Sequence, residues 1–150
     1  MVVTTDQVKK LREQTQAPVM EVKRALEEAG GEEAAAKKIL AEKALLRAEK
    51  KKGREAGDGR LFSYVHSDGK TGVLLELRCE SDFVAKNELF QNLGKGLTMQ
   101  IASMDPKDIA ILLQQDYIRD PSKTVADLVD EVAGTVGEKV EIARFVRYEI

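Results

Sequence analysis

The chain has no tryptophan, one cysteine, one histidine and three prolines in 150 residues. Each shortage excludes something. The single cysteine, Cys79, rules out an internal disulfide and fits a reducing compartment, where it reads as a small apolar filler near a strand end. His66 has no second imidazole to work with, and Cys79 is too isolated to complete a ligand set, so no metal site is expected. No run of about 18 apolar residues exists to span a bilayer, and the N-terminus lacks the charged-then-apolar order of a signal peptide. The expectation is a soluble cytoplasmic chain with no membrane contact, and an organelle-matrix protein that has lost its transit peptide fits the same features. The 24 Lys and Arg nearly balance 26 Asp and Glu, for a net charge of -2 and a pI of about 5.6. No global positive field therefore draws the protein onto nucleic acid. No nucleophile is paired with a base and no glycine loop cradles phosphate, so neither catalytic residues nor a cofactor are nominated.

What is present is a helical pattern in the first third and a mixed pattern afterwards. Thr4 and Gln7 have capping-box spacing ahead of Val8 and Leu11, predicting a helix to about Gln14. Pro18 breaks that run and suits the first turn of a second helix, to about Ala29. On this helix Val19, Val22, Ala25, Leu26 and Ala29 form one stripe, while Met20 points away among Lys23, Arg24 and Glu27. Gly30-Gly31 supplies a C-cap, and Glu32 to about Lys52 is a third helix rich in Ala, Glu, Lys and Leu. Three helices this short make a minimal bundle of the ubiquitin-associated type over residues 1–53, with little core of its own. Its tail, Lys50-Lys51-Lys52-Gly53-Arg54 followed by Gly57-Asp58-Gly59, reads as a basic linker. Such a run is a phosphate footprint, but it is also a solvated helix end, and no aromatic residues are interleaved for base stacking.

Residues 60–150 read as an α+β unit. Leu61 to His66 and Gly72 to Leu77 flank an Asp-Gly turn and predict a β-hairpin. Beyond it, Phe90, Leu93, Leu97, Ile101 and Met104 recur at helical spacing, with Gly94 and Gly96 positioned to let that helix approach the sheet closely. Residues 109–118 are apolar but ambiguous, and Asp120 to Thr124 is a break. Val125, Leu128, Val129 and Val132 mark another helix. In the last run Val140, Ile142, Val146, Tyr148 and Ile150 alternate with Glu141, Arg147 and Glu149, predicting a long strand. Hairpin, helix, helix and strand imply a small antiparallel sheet packed with helices.

Between strand and helix lies Arg78-Cys79-Glu80-Ser81-Asp82-Phe83-Val84-Ala85-Lys86-Asn87. Ser81 and Asp82 are residues that cap a helix start, and Asp82 also suits the positive end of the helix dipole. Capping does not account for Phe83. A staple folding the ring onto the core and an exposed wedge for a partner both fit its position.

Three blocks carry a family likeness. Val8 to Thr15, continuing through Met20-Glu21-Val22-Lys23-Arg24-Ala25-Leu26, resembles the N-terminal signature of bacterial and organellar elongation factor Ts. Glu80 to Asn87 resembles its central motif, and Gly137 to Glu149 is similar to the family's final strand. The resemblance implies a guanine-nucleotide exchange factor whose partner is elongation factor Tu. It implies that Ser81, Asp82, Phe83 and Val84 form the element that disturbs the GTPase's magnesium site, with Phe83 the wedge. It also implies that Val19, Met20 and Lys23 of the bundle contact the same GTPase. Ser81 stands where the family commonly has threonine, and the segment that longer relatives carry after Met104 is short here. Some short relatives compensate by dimerising, which makes a homodimer possible through the free edge of the final strand. An RNA- or ribosome-binding adaptor using the bundle and the basic linker is the alternative.

Overall fold

The computed structural model describes residues 2–150. Helix α1 (Thr5–Thr15) begins on the expected capping box, with the Thr4 hydroxyl accepting from Gln7 N and the Gln7 side chain accepting from Thr4 N. Helices α2 (Val19–Glu28) and α3 (Glu33–Glu49) complete the bundle around Leu11, Val22, Leu26, Ala36 and Leu40. Val19 departs from the predicted stripe. It precedes the part of α2 that α1 and α3 cover, and it is exposed beside Met20.

Ala36, Leu40, Ala44 and Ala48 are the buried residues of α3, so its contact face is mostly methyl groups, whereas Leu46 faces solvent. Small side chains let another backbone come close. The first half of α3 belongs to the bundle core, while Ala48 belongs to the larger core of the second unit. The helix that comes close is α7 (Val125–Val136), where a methyl placed on Gly134 would overlap the Ala44 carbonyl. Arg47 locks the crossing: its Nε donates to Gly134 O at 3.0 Å and its Nη1 pairs with Glu21 on α2.

The main sheet is antiparallel in the order β1 (Asp58–Val65), β2 (Thr71–Cys79), β5 (Glu141–Glu149). The α+β architecture is as expected, although β1 starts at Asp58, inside the stretch read as linker. Helix α5 (Glu88–Met104) covers one face through Phe90, Leu93, Leu97 and Ile101. Gly94 rests against the Phe62 ring, where a β-carbon would collide, so the predicted close approach occurs. The helical run before Met104 is divided: α4 (Asp82–Ala85) is a separate single turn, and Asn87 caps α5 by accepting from Leu89 N. Beyond α5, the ambiguous segment forms α6 (Ile109–Gln114) and a two-stranded hairpin of β3 (Asp116–Tyr117) and β4 (Asp120–Thr124). Buried Gln100 fastens that hairpin by donating to Asp116 O and accepting from Ile118 N. The predicted break is thus a short edge strand, where Pro121 needs no ladder donor.

The final strand corrects one face assignment. Leu77 pairs with Ile142 but Glu76 pairs with Arg144, so Ala143 is an inserted bulge residue. One extra residue reverses every side chain beyond it. Val140 and Ile142 are buried as predicted, but Val146, Tyr148 and Ile150 are exposed. Arg147 turns inward instead: it is 13% exposed and donates twice to Ala102 O near the C-terminus of α5. A guanidinium there satisfies a carbonyl the helix leaves unpaired.

Replacing Gly134 by Ala is expected to lower stability in urea unfolding by about 1–3 kcal/mol, the usual effect of overpacking. Gly53→Ala, where nothing lies within 4 Å of the added methyl, should stay within about 0.5 kcal/mol of wild type.

Candidate functional site

The turn after β2 is built from its backbone outward. Ser81 is the N-cap of α4, its hydroxyl oxygen accepting from Val84 N at 3.2 Å. A helix of four residues cannot hold itself, because nucleation is unfavourable and few intrahelical bonds form. Its inner side is anchored by Val84 and Ala85, both buried in the main core. Val84, grouped by sequence with its three neighbours, therefore faces this chain's own interior. Phe83 faces the other way and is 83% exposed. The staple is thereby excluded.

Electrostatics brace the outer side. Asp82 pairs with Lys86 at 2.8 Å and with Arg60 of β1 at 2.5 Å. These hydrogen bonds, Lys86 first and Arg60 next, hold its carboxyl well below the ordinary value of 3.8, at about 2. Beneath the turn, burial pushes the Cys79 thiol up to about 11. The thiol donates to Ser81 O and is fully enclosed, so it is filler rather than a nucleophile.

Glu138 is the residue sequence reading missed. It follows the left-handed Gly137 that ends α7. Its Oε1 accepts from Glu80 N at 3.0 Å and from Ser81 N at 2.9 Å, and its Oε2 accepts the Ser81 hydroxyl proton at 2.6 Å. Glu80 reciprocates by accepting from Lys139 N at 2.7 Å. No local pattern signals a contact between residues so far apart along the chain.

A second exposed group lies on α2, where Val19 is 51% and Met20 56% exposed, with Lys23 one turn on also facing solvent. Glu21, next to Met20, is the residue that Arg47 ties to Gly134 of α7. The two exposed patches are thus linked through the C-terminal half of one helix.

The family profile described as Elongation factor TS matches residues 80–150, which contain the turn, α7 and β5. An Elongation factor Ts from Leptospira biflexa is 38% identical over 196 aligned positions covering 100% of this chain and 98% of that protein.

The chain belongs to the elongation factor Ts family.

Elongation factor Ts of Coprothermobacter proteolyticus is similar at 36% over 195 positions, covering 100% and 99% of the two chains. That of Aquifex aeolicus is 42% identical over 154 positions, with 99% of this chain matching 53% of the longer protein. Alignments of 195 and 196 positions exceed the 150 residues here, so these two elongation factor Ts relatives carry segments this chain lacks.

The Asp82 pairing predicts its own pH dependence. A carboxyl whose folded value is depressed adds stability above its unfolded value and loses that contribution as the pH falls through the folded one. The carboxyl carbon of Asp82 should titrate near pH 2 in the folded protein, and Lys86→Ala should move the midpoint toward 3.8. A wild-type midpoint at 3.8 would mean that the ion triad does not form in solution.

Proposed function

We propose that this protein is a cytoplasmic guanine-nucleotide exchange factor that binds elongation factor Tu in its GDP form and promotes GDP release. The observation that carries this reading is the outward Phe83, held on a capped and braced turn. A phenylalanine left in water forgoes about 1.5–3 kcal/mol of burial, and a rigid exposed aromatic is the residue type that anchors an interface. In this proposal the ring enters the nucleotide domain of the GTPase, Asp82 and Ser81 keep its approach angle, and Val19, Met20 and Lys23 make a second contact. Val84 serves from beneath as the anchor of the turn.

Exchange by this route is a question of relative affinity. Nucleotide is expelled only if the factor binds the empty GTPase more tightly than the filled one, and the coupling is reciprocal. No acid, base or cofactor of the factor's own is required. The RNA adaptor is less well supported, because two cations of the basic run are engaged within the chain: Lys52 with Glu49 and Asp130, and Arg54 with Glu80. Salt-dependent retention of RNA without an effect on nucleotide release would favour it.

We also propose that a second copy of this chain covers the outer face of the sheet. Leu61, Val65, Leu74, Val146 and Tyr148 are all exposed there, and register places them together across three strands. Glu76 and Arg144, paired with each other, and Ser63 share this face, and the apolar side chains beside them would meet their two-fold copies with matching chemistry.

Substoichiometric protein should accelerate release of fluorescent GDP from elongation factor Tu. Phe83→Ala should reduce that acceleration by roughly 30-fold or more, the size of an interface anchor, with an unchanged circular dichroism spectrum. Unchanged acceleration in the variant would exclude the ring as the wedge. In sedimentation, wild type should run as a dimer and Leu74→Glu as a monomer, and a monomeric wild type would exclude the covered face.

A further inference from the structure

Resting on the exchange reading, we propose that Glu138 is the positioning residue of the wedge: through the Ser81 turn it sets the direction in which Phe83 points. The turn leaves three donors to be satisfied, the N–H groups of Glu80 and Ser81 and the hydroxyl of Ser81. All three converge on the one Glu138 carboxylate. Charge-assisted bonds of this kind are shorter and stronger than neutral ones. They also fix a proton. Because the Ser81 hydroxyl donates to Glu138, its lone pairs are free to accept from Val84 N, so the cap of α4 and the grip of Glu138 form one hydrogen-bonded unit.

Direction matters because Phe83 has no packing of its own to orient it. Only the path of the backbone between Ser81 and Val84 aims the ring, and two of its fixed points are the buried Val84 and the Glu138 clamp. Glu138 is in turn held by the end of α7, since Gly137 N and Glu138 N both donate to Ala133 O. One residue from there, Gly134 meets α3 and Arg47. The carboxylate therefore references the wedge to the helix that also carries the bundle, and with it the Met20 patch. Loss of the clamp should leave both contact surfaces in existence but misaligned.

The consequence is a separation of rate from affinity. At saturating factor, Glu138→Ala should slow GDP release on the order of tenfold, as misplacement of a working group does, while the half-saturating concentration changes less than twofold. Glu138→Gln keeps one acceptor for the two N–H groups and should recover part of the rate. In the isolated protein, Glu138→Ala should lose hydrogen-exchange protection at the amides of Glu80, Ser81 and Val84 with an unchanged circular dichroism spectrum. A half-saturating concentration that rises while the saturating rate holds would overturn the inference and make Glu138 a binding residue. Unchanged amide protection would overturn it independently of any exchange assay. A wild-type protein that fails to release GDP would instead sink the exchange reading, and the amide measurement would still decide whether Glu138 holds the turn.

Discussion

The approach of α3 to α7, backbone against backbone at Ala44 and Gly134, is the constraint on which the rest of the molecule depends. The N-terminal bundle encloses only a small set of side chains, among them Leu11, Val22, Leu26 and Leu40. So little apolar surface barely offsets the conformational entropy of three helices. Extending α3 past the bundle and seating its alanine face on α7 removes that weakness. It also makes the bundle a rigid neighbour of the sheet unit. The Arg47 guanidinium adds direction to the contact, since it reaches α2 and α7 at once.

The same helix ends by gripping the turn that presents Phe83. A four-residue helix with an aromatic pointing into water would ordinarily fray or fold the ring inward. Here three supports oppose that: the buried pair Val84 and Ala85, the Ser81 cap joined to the Glu138 carboxylate, and the Arg60–Asp82–Lys86 triad. They differ in their sensitivity to solution conditions. The triad is exposed and weakens with salt, whereas the anchors and the half-buried clamp are shielded.

A three-stranded sheet with helices on one side leaves the other side to water or to a partner. The bulge at Ala143 decides which residues fill that outer face, because it sends Val146 and Tyr148 outward and frees Arg147 to terminate α5. Without it, Phe145 would leave the core it packs against, Arg144 would turn inward, and the last turn of α5 would lose that donor.

By itself the sequence determined the elements whose signals are local. The Thr4 capping box, the Asp-Gly hairpin, the stripe from Phe90 to Ile101 and the three blocks of family residues were all legible, because each depends on neighbours within a few positions. The direction of Phe83 was not, since staple and wedge place the same residue at the same point on a helix and differ only in what lies opposite. The bulge was equally hidden: one unpaired residue changes the faces of a strand without changing its alternation. Glu138 was invisible for a third reason, that its carboxylate meets Ser81 only after the whole of α5 and α7 has packed. Tertiary structure decided these three points because they are set by register and by distant partners, which periodicity along a chain does not encode.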